Sequence, residues 1–257
     1  MRNVIILGSG RSGTSLITGT LAKGGYYIGD NYLGQNNSNP KGFFEDYEVN
    51  TINEDILSLI IPSYPETVRK LFFPSMTFYR SRWLARIKPR TKMKSNRVIN
   101  ERIEKLTNTE HFCYKDPRFS YTLPVWKPFL DLDKTVFICV FREPFNTASS
   151  IVKECQDSVA LHPLKMTENI ALEVWYCMYR HILDRYKSER NRSKWLFIHF
   201  NQIFSDRGLE TIQQLTQASV DKSFPEKRIN RTKLQKSIMP KKIEHIYKQL
   251  CSLASYE

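Results

Sequence analysis

Apolar residues fall at two spacings along the chain, and the change of spacing sorts it into strands and helices. Asn3–Leu7 (NVIIL) is a short β-rich run ending at Gly8. Glycine and small hydroxyl residues follow, then Leu16, Ile17, Thr20 and Leu21 at helical spacing, so the chain opens as strand, loop, helix. Further strands are predicted at 111–115, closed by Asp116-Pro117, at 134–141, the clearest buried run, and at 195–200. A helix is predicted over 47–61, where Val49, Ile52, Ile56, Leu57 and Ile60 form one stripe. Another starts at Pro144, a residue suited to a first helical turn. A long one spans 167–187, with Ile170, Val174, Trp175, Met178 and Ile182 on one face, and two more lie near 208–217 and 241–253. Strands separated by helices, with no hairpin signal, predict an α/β fold: a three-layer sandwich around a central parallel sheet.

Residues 29–44 (GDNYLGQNNSNPKGFF) interrupt this alternation and predict a long loop, which in a compact domain is more often functional than idle. The turn after the first strand reads Gly8-Ser9-Gly10-Arg11-Ser12-Gly13-Thr14-Ser15. It matches the phosphate-binding P-loop at all but one position, with four residues between Gly8 and Gly13 and a hydroxyl at Ser15. Glycines let the backbone N–H groups point inward, and the next helix adds the positive end of its dipole, so the loop suits an anion. Thr14 stands where a nucleotide-cleaving loop carries lysine, and Arg11 supplies a cation from within the loop instead. The sandwich is therefore expected to be P-loop NTPase-like.

Composition narrows the class. The chain has 257 residues, 41% hydrophobic and 25% charged, which suits a globular protein and excludes disordered or fibrous architectures. A single domain over 1–257 is expected, with a basic insertion at about 62–110. No apolar run approaches the roughly 18 residues of a membrane helix, so no transmembrane segment is expected. The N-terminal run is too short for the core of a secretory leader. Cys113, Cys139, Cys155, Cys177 and Cys251 are odd in number and widely spaced, without a C-x-x-C pair. A reducing, cytoplasmic location is expected.

With 39 Lys and Arg against 26 Asp and Glu, the net charge is +13, and it is unevenly placed. Between Glu66 and Glu101 there are ten basic residues and no acidic one, interleaved with Phe78, Tyr79 and Trp83. Such a cluster concentrates anionic ligands. A solvated basic arm, or a helix lying on an anionic membrane, would have the same composition. A second basic zone runs through residues 222–248.

With these motifs in view, the sequence resembles the sulfotransferases that use 3′-phosphoadenosine 5′-phosphosulfate (PAPS). In that family a P-loop-like segment holds the 5′-phosphosulfate. The form here, GSGRSGTSL, is more similar to the tyrosylprotein and carbohydrate branches than to the lysine-bearing cytosolic small-molecule branch. The second family motif, a strand followed by Arg and, eight residues on, Ser, is matched by 136–141, Arg142 and Ser150 in FREPFNTASS. An arginine fork at a strand end and a hydroxyl on the next helix can converge on one phosphate. The resemblance covers about 1–20, 112–154 and 195–235. It implies PAPS as co-substrate without a metal, since a sulfuryl group carries less charge than a triphosphate terminus. Gly10, Arg11, Ser12, Gly13, Thr14, Ser15, Arg142 and Ser150 would bind the donor, and Arg231 would belong to a late loop closing over it. Phe200 takes the place of an aromatic near the adenine, but Asn201 and Gln202 replace the acidic pair usual there.

Transfer to a hydroxyl or amine acceptor needs a base and cations at the transferring group. Glu45, at the end of NPKGFFE, is the expected base, since glutamate bases lie downstream of the P-loop in the similar carbohydrate and tyrosylprotein enzymes. Asp46 is the neighbour that could take the role. The histidine base of the cytosolic branch has no counterpart in 112–118, FCYKDPR. Lys115 would stabilise the bridging oxygen, with Arg11 as a second cation; Arg118 is a weaker candidate. His111, His162 and His199 are expected to be structural or exposed. The acceptor is not readable, although an anionic glycan would suit the basic flank. Two alternatives remain open: a nucleotide-dependent kinase with an altered P-loop, and a non-enzymatic polyanion-binding protein using 80–97. Nucleic acid is not the expected partner.

Overall fold

The computed structural model describes residues 1–31, 42–225 and 238–257. Four strands, β1 (Asn3–Leu7), β2 (Cys113–Lys115), β3 (Thr135–Phe141) and β4 (Trp195–His199), form one parallel sheet in the order β2-β1-β3-β4. All seven residues of β3 are buried, as a strand covered on both faces must be. Alternate residues face opposite layers. Ile5, Leu7, Phe137, Cys139 and Phe141 join one apolar cluster, and Val4, Ile6, Val136, Ile138 and Val140 join the other.

Helix α1 (Thr14–Lys23) and α8 (Asp206–Thr216) pack on the second cluster through Ile17, Leu21, Leu209 and Ile212. On the other face lie α2 (Tyr47–Ser58), α4 (Arg97–Thr107), α5 (Phe119–Trp126), α6 (Pro144–Asp157), α7 (Glu168–Ser188) and α9 (Lys241–Leu253). The short α3 (Glu66–Phe72) stands between α2 and α4 in the chain. The three-layer α/β sandwich expected from the pattern is the fold observed. Among the described residues no helix is long and apolar enough to cross a membrane.

Helix boundaries follow capping chemistry. Asp46, Asn96, Thr167 and Ser205 each accept a backbone N–H of the first turn of α2, α4, α7 and α8. Glu143 does the same for α6, with Pro144 at its first position. Helices α3, α4 and α5 lie where the sequence pattern predicts none. All of α5 but Pro124 is buried, so it shows no polar stripe to betray its period.

The strand order places the site. From β1 the chain crosses to β2 on one side, whereas β3 and β4 lie on the other. The carboxyl ends of β1 and β3 therefore flank a switch point, where an open parallel sheet leaves a crevice. The loop 8–13 leaves β1 there, and Arg142 leaves β3 beside it.

Candidate active site

The loop after β1 is shaped by close approaches. Gly8 has φ +136° and lies against the Val140 carbonyl, so any side chain would strike β3. Gly13, at φ +96°, precedes α1, and the Phe200 ring packs where a Cβ would stand. Arg11 adopts a left-handed φ of 69° without being glycine, a strain the surrounding contacts must hold. Beneath the loop the buried Tyr179 hydroxyl accepts the Ser9 N–H at 3.2 Å, donates to the Val140 carbonyl at 2.7 Å and lies 2.8 Å from Ser12 Oγ. Burial raises the Tyr179 pKa well above the ordinary phenol value, so the hydroxyl stays protonated.

Tyr179→Phe leaves the Ser9 N–H and Ser12 hydroxyl without this partner. It is expected to cost about 1–3 kcal/mol of stability. Denaturant melts of the variant would read that loss, and an unchanged midpoint would show that the strut is dispensable.

Arg11 reaches away from the loop's centre. Its Nε donates to Ser150 Oγ at 3.1 Å, and Nη1 pairs with Glu154 Oε2 at 3.3 Å, both on α6. Burial lowers its pKa, with Glu154 and Asp157 opposing. Arg142, at the end of β3, lies with its Cζ 4.4 Å from the Phe200 ring centroid. Burial lowers its pKa first; Glu143 opposes this and the Arg11 charge adds to it. Arg11, Arg142 and Ser150 therefore gather at one end of the crevice, two guanidinium groups close enough to repel and able to share an anion between them.

At the other end stands Lys115, the last residue of β2, paired in register with Ile6 of β1. Its ammonium is buried, 3.3 Å from Ser15 Oγ and in an ion pair with Glu45. The neighbouring strand thus brings a cation beside the first turn of α1, where Thr14 offers none. Asn50 Nδ2 donates to the other Glu45 oxygen at 3.2 Å. The amide has one available orientation, because its Oδ1 accepts from Arg118 Nη1 at 2.8 Å and a guanidinium can only donate. Asp46 is committed differently, its carboxylate accepting the Val49 N–H at 2.9 Å as the cap of α2.

Behind these residues lies a buried charge network. Arg118 binds Glu54 at 2.8 Å and Asp116 at 3.0 Å, and Glu54 also binds Arg82 at 3.0 Å. Asn53 donates to Asp116 at 3.1 Å while accepting from Thr122 and Trp126. Burial raises the Asp116 pKa, with the Arg118 charge opposing and Glu45 adding to the rise. Sequence reading missed Asn50, Glu54 and Tyr179 as parts of the site. The one signal available for Tyr179 was its position one turn after Trp175 on the apolar face of α7. Arg231 and residues 39–41 of the NPKGFFE segment lie outside the described residues.

His199 ends β4 beside Arg142. Its Nδ1 accepts the Asn201 N–H at 3.2 Å, so a neutral ring carries its proton on Nε2, 3.4 Å from the Tyr247 hydroxyl. Burial, with the Arg142 charge second, lowers its pKa from 6.5 to about 4. Below pH 6.5 the unfolded chain binds a proton that the native ring refuses, so stability falls as pH drops from 6.5 to about 4 and levels off below that. His199→Asn is expected to flatten this limb in urea melts at stepped pH. An unaltered limb would show that the ring does not titrate there.

No family model matches the chain, and no curated protein sequence matches it. Solved structures do. The sulfotransferase domain from the Synechococcus PCC 7002 olefin synthase superposes with a TM-score of 0.56 at 14% identity, over 99% of this chain and 94% of that one. The chain has the sulfotransferase fold. The sulfotransferase domain from the curacin biosynthetic pathway gives a TM-score of 0.53, again at 14% identity, over 100% of this chain and 99% of that domain. The likeness thus runs the length of the fold and is not confined to the anion loop.

Proposed function

We propose that this sulfotransferase-fold chain is an enzyme that moves a sulfuryl group from PAPS to a hydroxyl or amine of an acceptor. The observation that carries the reading is the pairing of two anion sites across the β1/β3 crevice. The glycine loop lies at one, and Arg142, Ser150 and Arg11 at the other, with Arg11 Nε bonded to Ser150 Oγ at 3.1 Å. A nucleotide with phosphate at both its 5′ and 3′ positions fits this pair; a mononucleotide triphosphate would leave the second unfilled.

In the proposed reaction the acceptor hydroxyl gives its proton to Glu45, and its oxygen forms a bond to sulfur. The bond from sulfur to the 5′-phosphate oxygen breaks, releasing adenosine 3′,5′-bisphosphate. Lys115, poised beside Ser15, balances charge on that departing oxygen. In the free protein the same lysine is ion-paired with Glu45. Once its ammonium turns to the donor, the carboxylate is released toward the acceptor. The loop N–H groups bind the phosphosulfate, and Arg142 with Ser150 binds the 3′-phosphate; Arg11, expected from the sequence to face the sulfuryl group, instead reaches Ser150 and joins the 3′-phosphate side.

Calorimetric titration tests this. Adenosine 3′,5′-bisphosphate is expected to bind with a Kd of about 1 μM or tighter, while ATP with magnesium gives no comparable heat. No bisphosphate binding by the folded protein would sink the reading, and tight ATP binding would favour a kinase.

A further inference from the structure

Helix α3 is packed inside out. Leu71 and Phe72 are 74% and 66% exposed, whereas the one side chain the helix buries is Arg69, 5% exposed. Surface helices ordinarily do the reverse, burying the apolar stripe and leaving cations in water. The Arg69 guanidinium stacks on Phe78, 4.6 Å from the ring centroid, and its buried Nη1 has no hydrogen-bond partner among the described residues. Arg69 makes no salt bridge within 4.0 Å among the described residues; the exposed Glu66, one turn earlier and paired with Lys70 at 2.7 Å, is the carboxylate that feels its charge. A guanidinium largely removed from water without a hydrogen-bonded counter-ion costs several kcal/mol, which the Phe78 stacking offsets in part and an arriving anion would offset further.

The surroundings point the same way. Arg80, Arg86, Lys88, Arg90, Lys92 and Lys94 are exposed on the segment that follows, which holds no acidic residue before Glu101. Arg80 and Arg90 sit at left-handed φ values of 70° and 64°, conformations that cost about 1–3 kcal/mol each. Three contacts join this arm to the candidate site. The Trp83 ring fills the space beside Gly10, Arg82 binds Glu54, and Arg80 Nη2 donates at 2.6 Å to the hydroxyl of Tyr47, two residues after Glu45. The anion site of Arg142 lies on the β3 side of the crevice. An acceptor must therefore arrive from the β2 side, where Lys115, Glu45 and the arm stand.

We infer that the acceptor carries an oxyanion (sulfate, phosphate or carboxylate), and that Arg69 stacked on Phe78 is the subsite that grips it. The exposed arginines and lysines draw the anion in. With no fully buried apolar side chain, α3 is weakly held and can lift to admit it. The role of this anion as acceptor rests on the sulfotransferase reading; the subsite itself does not.

The test is thermal melting of wild type, Arg69→Met and Arg69→Lys, with the donor site saturated by adenosine 3′,5′-bisphosphate. Each is titrated with sodium sulfate or sodium acetate against sodium chloride of equal ionic strength. Without added anion, Arg69→Met is expected to melt no lower than wild type, since it removes a buried unpaired charge. Sulfate or acetate should raise the wild-type Tm, and the rise should vanish in Arg69→Met and shrink in Arg69→Lys. A rise with sulfate alone assigns a tetrahedral oxyanion, and a rise with acetate a carboxylate. An Arg69→Met protein that melts well below wild type yet keeps the anion response would overturn the proposal, as would a wild type indifferent to both anions. If Arg69→Met does not fold, Arg69→Lys decides, because it keeps the charge and loses the two-pronged grip. Should the bisphosphate itself fail to bind, the sulfotransferase reading falls. The anion response measured without it then decides the subsite alone.

Discussion

Arg142→Ala is expected to weaken adenosine 3′,5′-bisphosphate binding by about 30-fold to several thousand-fold, the range for removing one partner of a buried charge-assisted contact. The guanidinium is held for the task before any ligand arrives. Its backbone ends a fully buried strand, the Trp175 indole donates to its carbonyl at 3.3 Å, and Phe200 supports its face. Its pKa is lowered by burial and by Arg11, so two cations already bear a mutual repulsion that a phosphate relieves. Alanine removes the charge and the guanidinium's N–H donors together. Ser150→Ala, which deletes one neutral hydroxyl, should cost about tenfold or less. Calorimetry on the two variants checks the order: equal losses, or none for Arg142, would place the 3′-phosphate elsewhere.

Glu45→Gln is expected to lower kcat by about 10²- to 10⁴-fold, the usual contribution of a positioned general base, with bisphosphate affinity little changed. Glutamine keeps the shape and can still face Asn50, but it cannot take the acceptor proton. It also leaves the buried Lys115 ammonium without its counter-charge, so the variant's melting temperature must be followed alongside turnover. Asp46→Asn supplies the contrast. Asp46 caps α2, and asparagine caps as well as aspartate, so turnover and fold should both survive. Near-normal turnover in a folded Glu45→Gln protein, or its collapse in Asp46→Asn, would move the base from Glu45.

The candidate site was legible in its local parts and invisible in its long-range ones. The glycine loop, the buried strand before Arg142 and the spacing from Arg142 to Ser150 each lie within one strand-turn-helix unit, where period and turn chemistry speak directly. Asn50 lies on the predicted helix 47–61 but outside its apolar stripe, and nothing in its sequence neighbourhood shows what its amide faces. In the sequence Arg82 reads as a member of the basic cluster and Arg118 as a weaker candidate cation, yet both are buried on Glu54. A sequence records a charge but not the water around it.

By itself, then, the sequence determined the four strands and the helices that show an apolar stripe or a capping signal, though not α3, α4 or α5, and it marked the first turn as a glycine loop suited to an anion. Those outcomes depend on side chains a few residues apart. Only the tertiary structure decided that the Lys115 ammonium lies beside Ser15, at the first turn of α1. That follows from β2 lying beside β1 with Lys115 opposite Ile6, a register set by packing both faces of the sheet. The same packing brought Glu45 to Lys115, fixed the Asn50 amide through Arg118, and turned Arg69 inward. Each of these pairings joins segments far apart in the chain, and the free energy that selects them belongs to the assembled core, not to any single segment.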